Sequence, residues 1–286
     1  MKPNIIITDP SRNLRALGRN ALSSKWTLAV ITTIVYLICL NVPPVILNAV
    51  FGVNIADLYG NDIMYSMRSD TYNAIYSSMP EYSVLAGLYT IVVTGAFTLG
   101  ITLFFLAMFR KQKVNTGDLF LGFEKFGKAL GLMLFQSLFV FLWSLLLIVP
   151  GIIASIRYSQ AFFILADDPS KGIRQCMDES KAMMNGNKMK YFCMNFSFIG
   201  WLILSVLPAS VLSGIASSAG LTGVAAEIIS IIGALFMAPV SAYIYSTRSG
   251  FYEILAGHLI KETQPAPVTR EALQAAALHD EHRDDM

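Results

Sequence analysis

Two ionisable side chains stand inside otherwise apolar stretches of the chain, Arg157 and Glu227. In hydrocarbon a lone charge at mid-helix costs roughly 2.5 to 3.5 kcal/mol on insertion scales, so such a residue faces a cavity or finds a partner. Paired with each other, or with carbonyls freed near Pro150, the two could line a polar path for a small solute or ion. The plainer reading is a buried structural pair, or side chains that snorkel to the interface, which is easy for Glu227 near the end of its run. Other chemistry is sparse. The densest acidic cluster, Asp167-Asp168, precedes Pro169 and reads as a helix cap. Cys39, Cys176 and Cys193 are odd in number, lack CxxC spacing and imply no disulfide framework. His279 and His282 lie close together in the polar tail, but no third ligand is fixed, and structural metal sites usually need four. His258 has no obvious partner. The sequence therefore points to no metal, no other cofactor and no enzyme activity.

The elements that would position Arg157 and Glu227 are long apolar helices. Of 286 residues, 55% are hydrophobic and 14% charged, against roughly 25% charged in a soluble domain. A helix needs about 20 apolar residues to cross about 30 Å of hydrocarbon. Runs near 26–51, 83–109, 193–220 and 221–247 meet that length. The region 129–166 is too long for one span and carries Pro150-Gly151, where a missing amide and a flexible residue read as a helix break. It divides into spans near 129–149 and 150–166, with a re-entrant loop as the alternative for the second. The first run is too long for a secretory core and reads as an uncleaved span. The expected fold class is all-α: a polytopic transmembrane helical bundle of six spans, arranged as three hairpins with cytoplasmic interfacial amphipathic helices. Residues 1–255 form the membrane domain, with an outer loop at 52–82, and residues 256–286 form a polar cytoplasmic tail in which Thr269 starts a short helix.

Charge placement sets the expected orientation, because short cytoplasmic segments are enriched in Lys and Arg. Nineteen of the 21 basic residues fall before the first span, between the second and third, between the fourth and fifth, or after the sixth. The exceptions are Arg68 and Arg157. Both termini are thus expected in the cytoplasm of a cell-membrane protein. No basic face with interleaved aromatics suggests nucleic acid.

Three basic segments are patterned at helical spacing. Leu14, Leu17, Ala21 and Leu22 gather on one arc with Arg12, Arg15 and Arg19 on the next. Leu119, Phe120, Phe123, Phe126 and Leu130 share a face opposite Glu124, Lys125 and Lys128. Ile173, Cys176, Met177 and Met184 face away from Lys171, Arg174, Asp178 and Lys181, with Asp168-Pro169 as a helix start and Gly186 as a stop. Each reads as an interfacial helix, with its apolar face in lipid or against the bundle and its basic face toward anionic headgroups. Their plain role is to anchor the next span; their functional role is to hold lipid or a membrane-protein partner. Because one precedes the first, third and fifth spans, the chain reads as three helix-plus-hairpin units. Pro43-Pro44, Pro208 and Pro239 read as kinks. Small residues four apart, Ser210-Gly214-Ser218 and Gly127-Gly131, read as helix-packing rows.

Several stretches carry a family resemblance: Asp118-Leu-Phe-Leu-Gly-Phe, Phe126-Gly-Lys, Leu145-Leu-Leu-Ile-Val-Pro-Gly-Ile-Ile, Arg157-Tyr158-Ser, Ile164-Leu-Ala-Asp-Asp168-Pro169, Ser180-Lys, Met184 with Gly186, and Asn195-Phe-Ser-Phe-Ile-Gly200-Trp201. With the Arg15 to Trp26 lead-in and Phe251-Tyr252, the chain resembles domain of unknown function 975, a family of bacterial integral membrane proteins. It departs at Pro239-Val240, where a Pro-Tyr pair is expected, and in the tail. The resemblance implies the class and no activity. Function is expected to be that of an accessory or scaffold protein binding lipid or a membrane partner; the alternative is a permease using the path near Arg157 and Glu227.

Overall fold

The structure, a computed structural model, describes residues 5–54, 81–221 and 224–259. Apolar runs form helices because a helix satisfies every backbone amide and carbonyl within the segment. Helix α1 (Ser11–Leu22) leads into α2 (Trp26–Phe51), which continues through Pro43 and Pro44. A two-residue antiparallel ladder, Val53 opposite Tyr82 and Asn54 opposite Glu81, joins the far end of α2 to α3 (Val84–Phe109). This ladder is a small departure from the all-α fold class; most of the outer loop lies outside the described residues.

Helix α3 is the central post. Its second half, from Gly95 to Met108, is largely buried, and α2, α4 (Phe126–Leu146), α6 (Ala161–Asp167) and α11 (Ala238–Leu255) pack around it. The chain then reverses. Lys111 adopts a left-handed backbone with φ 57°, and Gln112 donates its amide back to the Ala107 carbonyl at 3.0 Å, closing the helix end.

The next element is a 3-10 helix (Thr116–Lys125) rather than the α-helix read from the spacing. With three residues per turn, side chains three apart eclipse. Leu119 and Gly122 therefore form the buried row, while Phe120, Phe123 and Phe126 stack in succession with ring centroids 6.4 Å apart at each step. The single apolar face expected for these residues is split into two rows. Gly122 lies against the Ala96 carbonyl of α3, and Gly100 against the Leu119 carbonyl, so the two backbones touch where neither residue carries a side chain.

Helix α4 and α5 (Ile148–Arg157) make a tight hairpin whose break falls at Leu147, not at Pro150-Gly151. Pro150 sits in the first turn of α5, where amides have no partner four residues back and a proline removes little. Gly151 is a contact point instead: a Cβ there would run into Ser144. The chain turns through Tyr158–Gln160 into α6, and Ile148–Asp167 as a whole is long and apolar enough to cross a membrane. Helix α7 (Ile173–Met183) starts after Gly172, later than Asp168-Pro169 suggests, because Asp168 caps a separate turn by accepting from the Ser170 amide at 3.0 Å and hydroxyl at 2.5 Å. Those bonds hold the Asp168 carboxyl below the usual carboxylate range. Gly186, with φ 81°, ends that helix as expected.

Helix α8 (Lys188–Phe196) runs into α9 (Ile199–Ser218), and α10 (Val224–Leu235) meets α11 at a 47° bend. Pro239 lies in the first turn of α11, again tolerated for want of an amide partner. The sharpest break in a candidate span is therefore in the last hairpin. By length and composition, five helices can cross a membrane, or six with the bent pair counted as one span. Residues Leu145 to Val149, at the α4–α5 tip, are each at least 65% exposed, as apolar groups solvated by lipid would be. The Ser210-Gly214-Ser218 row is exposed, and nothing lies within 4 Å of a Cβ built at Gly214 or Gly127. Gly131 of the other row is a close contact, a Cβ there coming within 2.5 Å of the Ile173 side chain; further close contacts lie at Gly18, Gly95, Gly100, Gly122, Gly151, Gly233 and Gly250, because packing follows the facing surface and not the spacing alone.

Candidate functional site

The ends of α3, α6 and α11 meet on one guanidinium. Arg110, the residue that closes α3, places Nη2 2.6 Å from Asp167 Oδ1 and 2.7 Å from Glu253 Oε1, and donates Nε to the same Glu253 oxygen at 2.8 Å. Tyr252 donates its hydroxyl to Asp167 Oδ2 at 3.0 Å. After α11 a left-handed Gly257, φ 81°, turns the chain so that His258 Nδ1 comes within 2.9 Å of Glu253 Oε2. Glu253 is nearly buried, its side chain 4% exposed. Burial opposes the charge on Arg110, but its hydrogen bonds to Asp167 and Glu253, and their charges, outweigh that and raise its pKa further. All four carboxylate oxygens are engaged. The cluster is thus a clamp on three chain segments.

The same end of the bundle holds other ties. Lys25, between α1 and α2, donates to the Gln112 carbonyl at 2.9 Å. Lys128 caps the carbonyls of Pro169, Ser170 and Lys171 at 2.6, 3.1 and 3.2 Å. Asn187 holds the N-terminal segment, accepting from the Ile7 amide at 2.9 Å and donating to the Ile5 carbonyl at 2.8 Å. The starts of α2 and α4 and the ends of α3, α6 and α11 therefore gather together.

The sequence-derived basic residues divide into two groups there. Arg12, Arg19, Lys125, Arg174 and Lys181 are exposed. Lys128 and Lys171 are committed, Lys128 capping the loop and Lys171 pairing with Glu179 at 2.6 Å, whereas Arg15 is half-buried with one long bond, Nη1 to the Ser197 carbonyl at 3.4 Å. The elements carrying the exposed cations bury their apolar rows against the bundle: Leu14, Gly18 and Leu22 of α1, Leu119 and Gly122 of the 3-10 helix, Cys176, Met177 and Ser180 of α7.

Arg157 and Glu227 are not brought together. Arg157 ends α5, which packs on α4 and α8, whereas Glu227 belongs to α10, which packs on α9 and α2, and no ion pair among the described residues joins them. The turn at Arg157 does hold unmatched polarity: Arg157 Nε and Gln160 Oε1 are buried without a hydrogen-bond partner among the described residues, as is Gln136 Oε1 in α4. Among the family-motif residues, Tyr158 packs on Phe139, Pro169 lends its carbonyl to Lys128, and Gly200 and Trp201 are exposed on α9. Groups of three or more metal-ligating side chains are absent among the described residues, and His279 and His282 lie outside them.

Arg110 and Glu253 escape a reading by local pattern, since Arg110 finds its partners 57 and 143 residues away. The sequence carries one signal. Glu253 is the single acidic residue between Glu227 and Glu262, flanked by Phe251, Tyr252, Ile254 and Leu255, and an acid buried among apolar neighbours requires a cation.

Among the described residues the chain is helical apart from the two-residue ladder, with five or six helices long and apolar enough to cross a membrane and many exposed large apolar side chains, the make-up of a helical membrane protein. Residues 144–258 match the family described as Protein of unknown function (DUF975), the family whose motifs the sequence resembles. The matched stretch holds Asp167, Glu253 and His258, while Arg110 lies outside it. No curated protein and no solved structure matches the chain.

Proposed function

We propose that this chain is a non-enzymatic accessory protein of the cell membrane that crosses six times with both termini in the cytoplasm, and that its basic end binds anionic lipid headgroups. The observation that carries this reading is the exposure of Arg12, Arg19, Lys125, Arg174 and Lys181 on elements whose apolar rows are already buried in the bundle. The elements that carry these cations are already ordered, and each cation contributes about 1 kcal/mol beside an anionic surface. The permease alternative loses support from the separation of Arg157 and Glu227, and an enzymatic role from the full engagement of the Arg110 clamp.

The test uses full-length protein in dodecylmaltoside, with phosphatidylglycerol and phosphatidylcholine as probes and lipid retention read by native mass spectrometry. The wild type retains phosphatidylglycerol preferentially, less so at high salt. The variant R12Q/R19Q/K125Q/R174Q/K181Q loses most of that preference while staying monodisperse. Equal preference in the two proteins contradicts the reading.

A further inference from the structure

Two arginines from distant parts of the chain converge where α8 gives way to α9. Gly18 of α1 lies against the backbone of Thr247 in α11, a Cβ there coming within 2.8 Å of the Thr247 Cα, and Tyr243 donates to the Arg15 carbonyl at 3.1 Å. This crossing sets Arg15 and Arg248 on the same helical end. Arg248 donates Nε and Nη2 to Asn195 Oδ1 at 3.1 and 2.8 Å, and Arg15 Nη1 reaches the Ser197 carbonyl at 3.4 Å.

Among the described residues neither arginine has a carboxylate, unlike Arg110, which has two. A guanidinium offers five N–H donors. Arg248 spends two on one amide oxygen, Arg15 spends one at the limit of bonding distance, and Arg15 Nε is buried with no partner among the described residues. Carbonyls at the end of α8 supply a fraction of a negative charge, short of what two cations require. The ligand missing from this arrangement is an anion, and the paired forks suit the oxygens of a phosphate.

The surroundings specify which phosphate. Trp201, one turn past Ser197, is 50% exposed on α9, and Leu204 beyond it is 58% exposed. Trp26 is 36% exposed beside Tyr243, with ring centroids 6.2 Å apart. Half-exposed tryptophans next to cations mark the headgroup level of a bilayer, and the exposed α9 face offers a path for acyl chains. We propose that Arg15 and Arg248 together bind the headgroup phosphate of an anionic phospholipid at the α8–α9 junction. This deepens the lipid-binding reading above and rests on it, but assigns a defined site in place of a diffuse charged surface.

Titrating phosphatidylglycerol into the full-length protein in dodecylmaltoside tests this, with binding read by native mass spectrometry. R15Q/R248Q weakens the tightest binding at least tenfold, and R15K/R248K, which keeps charge but not the fork, weakens it less. Should the double variant fail to fold, R15Q alone decides, since it leaves the Arg248–Asn195 bonds in place; a loss of threefold or more is expected. Binding within twofold of wild type in a folded R15Q/R248Q, or in R15Q where the pair does not fold, overturns the site. Displacement of bound lipid by millimolar inorganic phosphate would mark a free-anion site and also overturn it. If the five-residue variant loses preference while R15Q/R248Q keeps it, the junction site fails and the surface reading stands.

Discussion

Arg110→Leu is expected to be the most damaging single substitution at the basic end. It leaves Asp167 and Glu253 without their cation, Glu253 nearly buried and Asp167 a quarter exposed. Removing one partner of a buried pair costs about 3 to 5 kcal/mol, and the partial exposure of Arg110 and Asp167 lowers the expectation here to about 2 to 4 kcal/mol. The loss should appear as a lower unfolding midpoint in detergent. A second substitution separates a clamp from simple packing. Adding Glu253→Leu to Arg110→Leu removes the stranded acid and should recover part of the loss, a coupling that independent sites do not show. If Arg110→Leu unfolds at the wild-type midpoint, the cluster holds nothing together.

Gly100→Ala and Gly122→Ala carry the next largest effect. At both positions a methyl group meets backbone carbonyl oxygen, that of Leu119 for Gly100 and of Ala96 for Gly122, and backbone cannot step aside as a flexible side chain can. Overpacking costs typically 1 to 3 kcal/mol, and the upper part of that range, about 3 kcal/mol, is expected for each. Gly117→Ala and Gly127→Ala are the matched controls, with open space around the new methyl. Equal midpoints for Gly100→Ala and Gly127→Ala would show that the 3-10 helix does not lie against α3 as described.

The membrane-length helices are legible in the sequence because a span is written as a local run of apolar residues, and length against hydrocarbon thickness is all that is needed to read it. Helix breaks are less legible. Pro150 and Pro239 each announce a missing amide, which suits either a break or a first turn; the structure uses both in first turns and places the α4–α5 break at Leu147. The 3-10 segment is open to misreading because Leu119, Phe120 and Phe123 fit an arc at 100° per residue as readily as two rows at 120°. Long-range partners leave no local trace. Lys128 looks like a free surface cation until the loop at 169–171 is brought to it. Arg157 and Glu227 stand out as isolated charges, yet nothing in their spacing records that α5 packs on α4 and α8 while α10 packs on α9 and α2.

In the orientation proposed above, the end gathered around Arg110 faces the cytoplasm. Single cysteines at Lys113 and Lys181, on that end, and at Val53 and Ser218, at the opposite helix ends, can be placed in a chain whose Cys39, Cys176 and Cys193 are replaced by serine. Intact cells are then treated with a membrane-impermeant maleimide. Labelling of the cysteines at 53 and 218 in intact cells, with those at 113 and 181 labelled only after permeabilisation, is the expected result; labelling of position 113 or 181 in intact cells would contradict it.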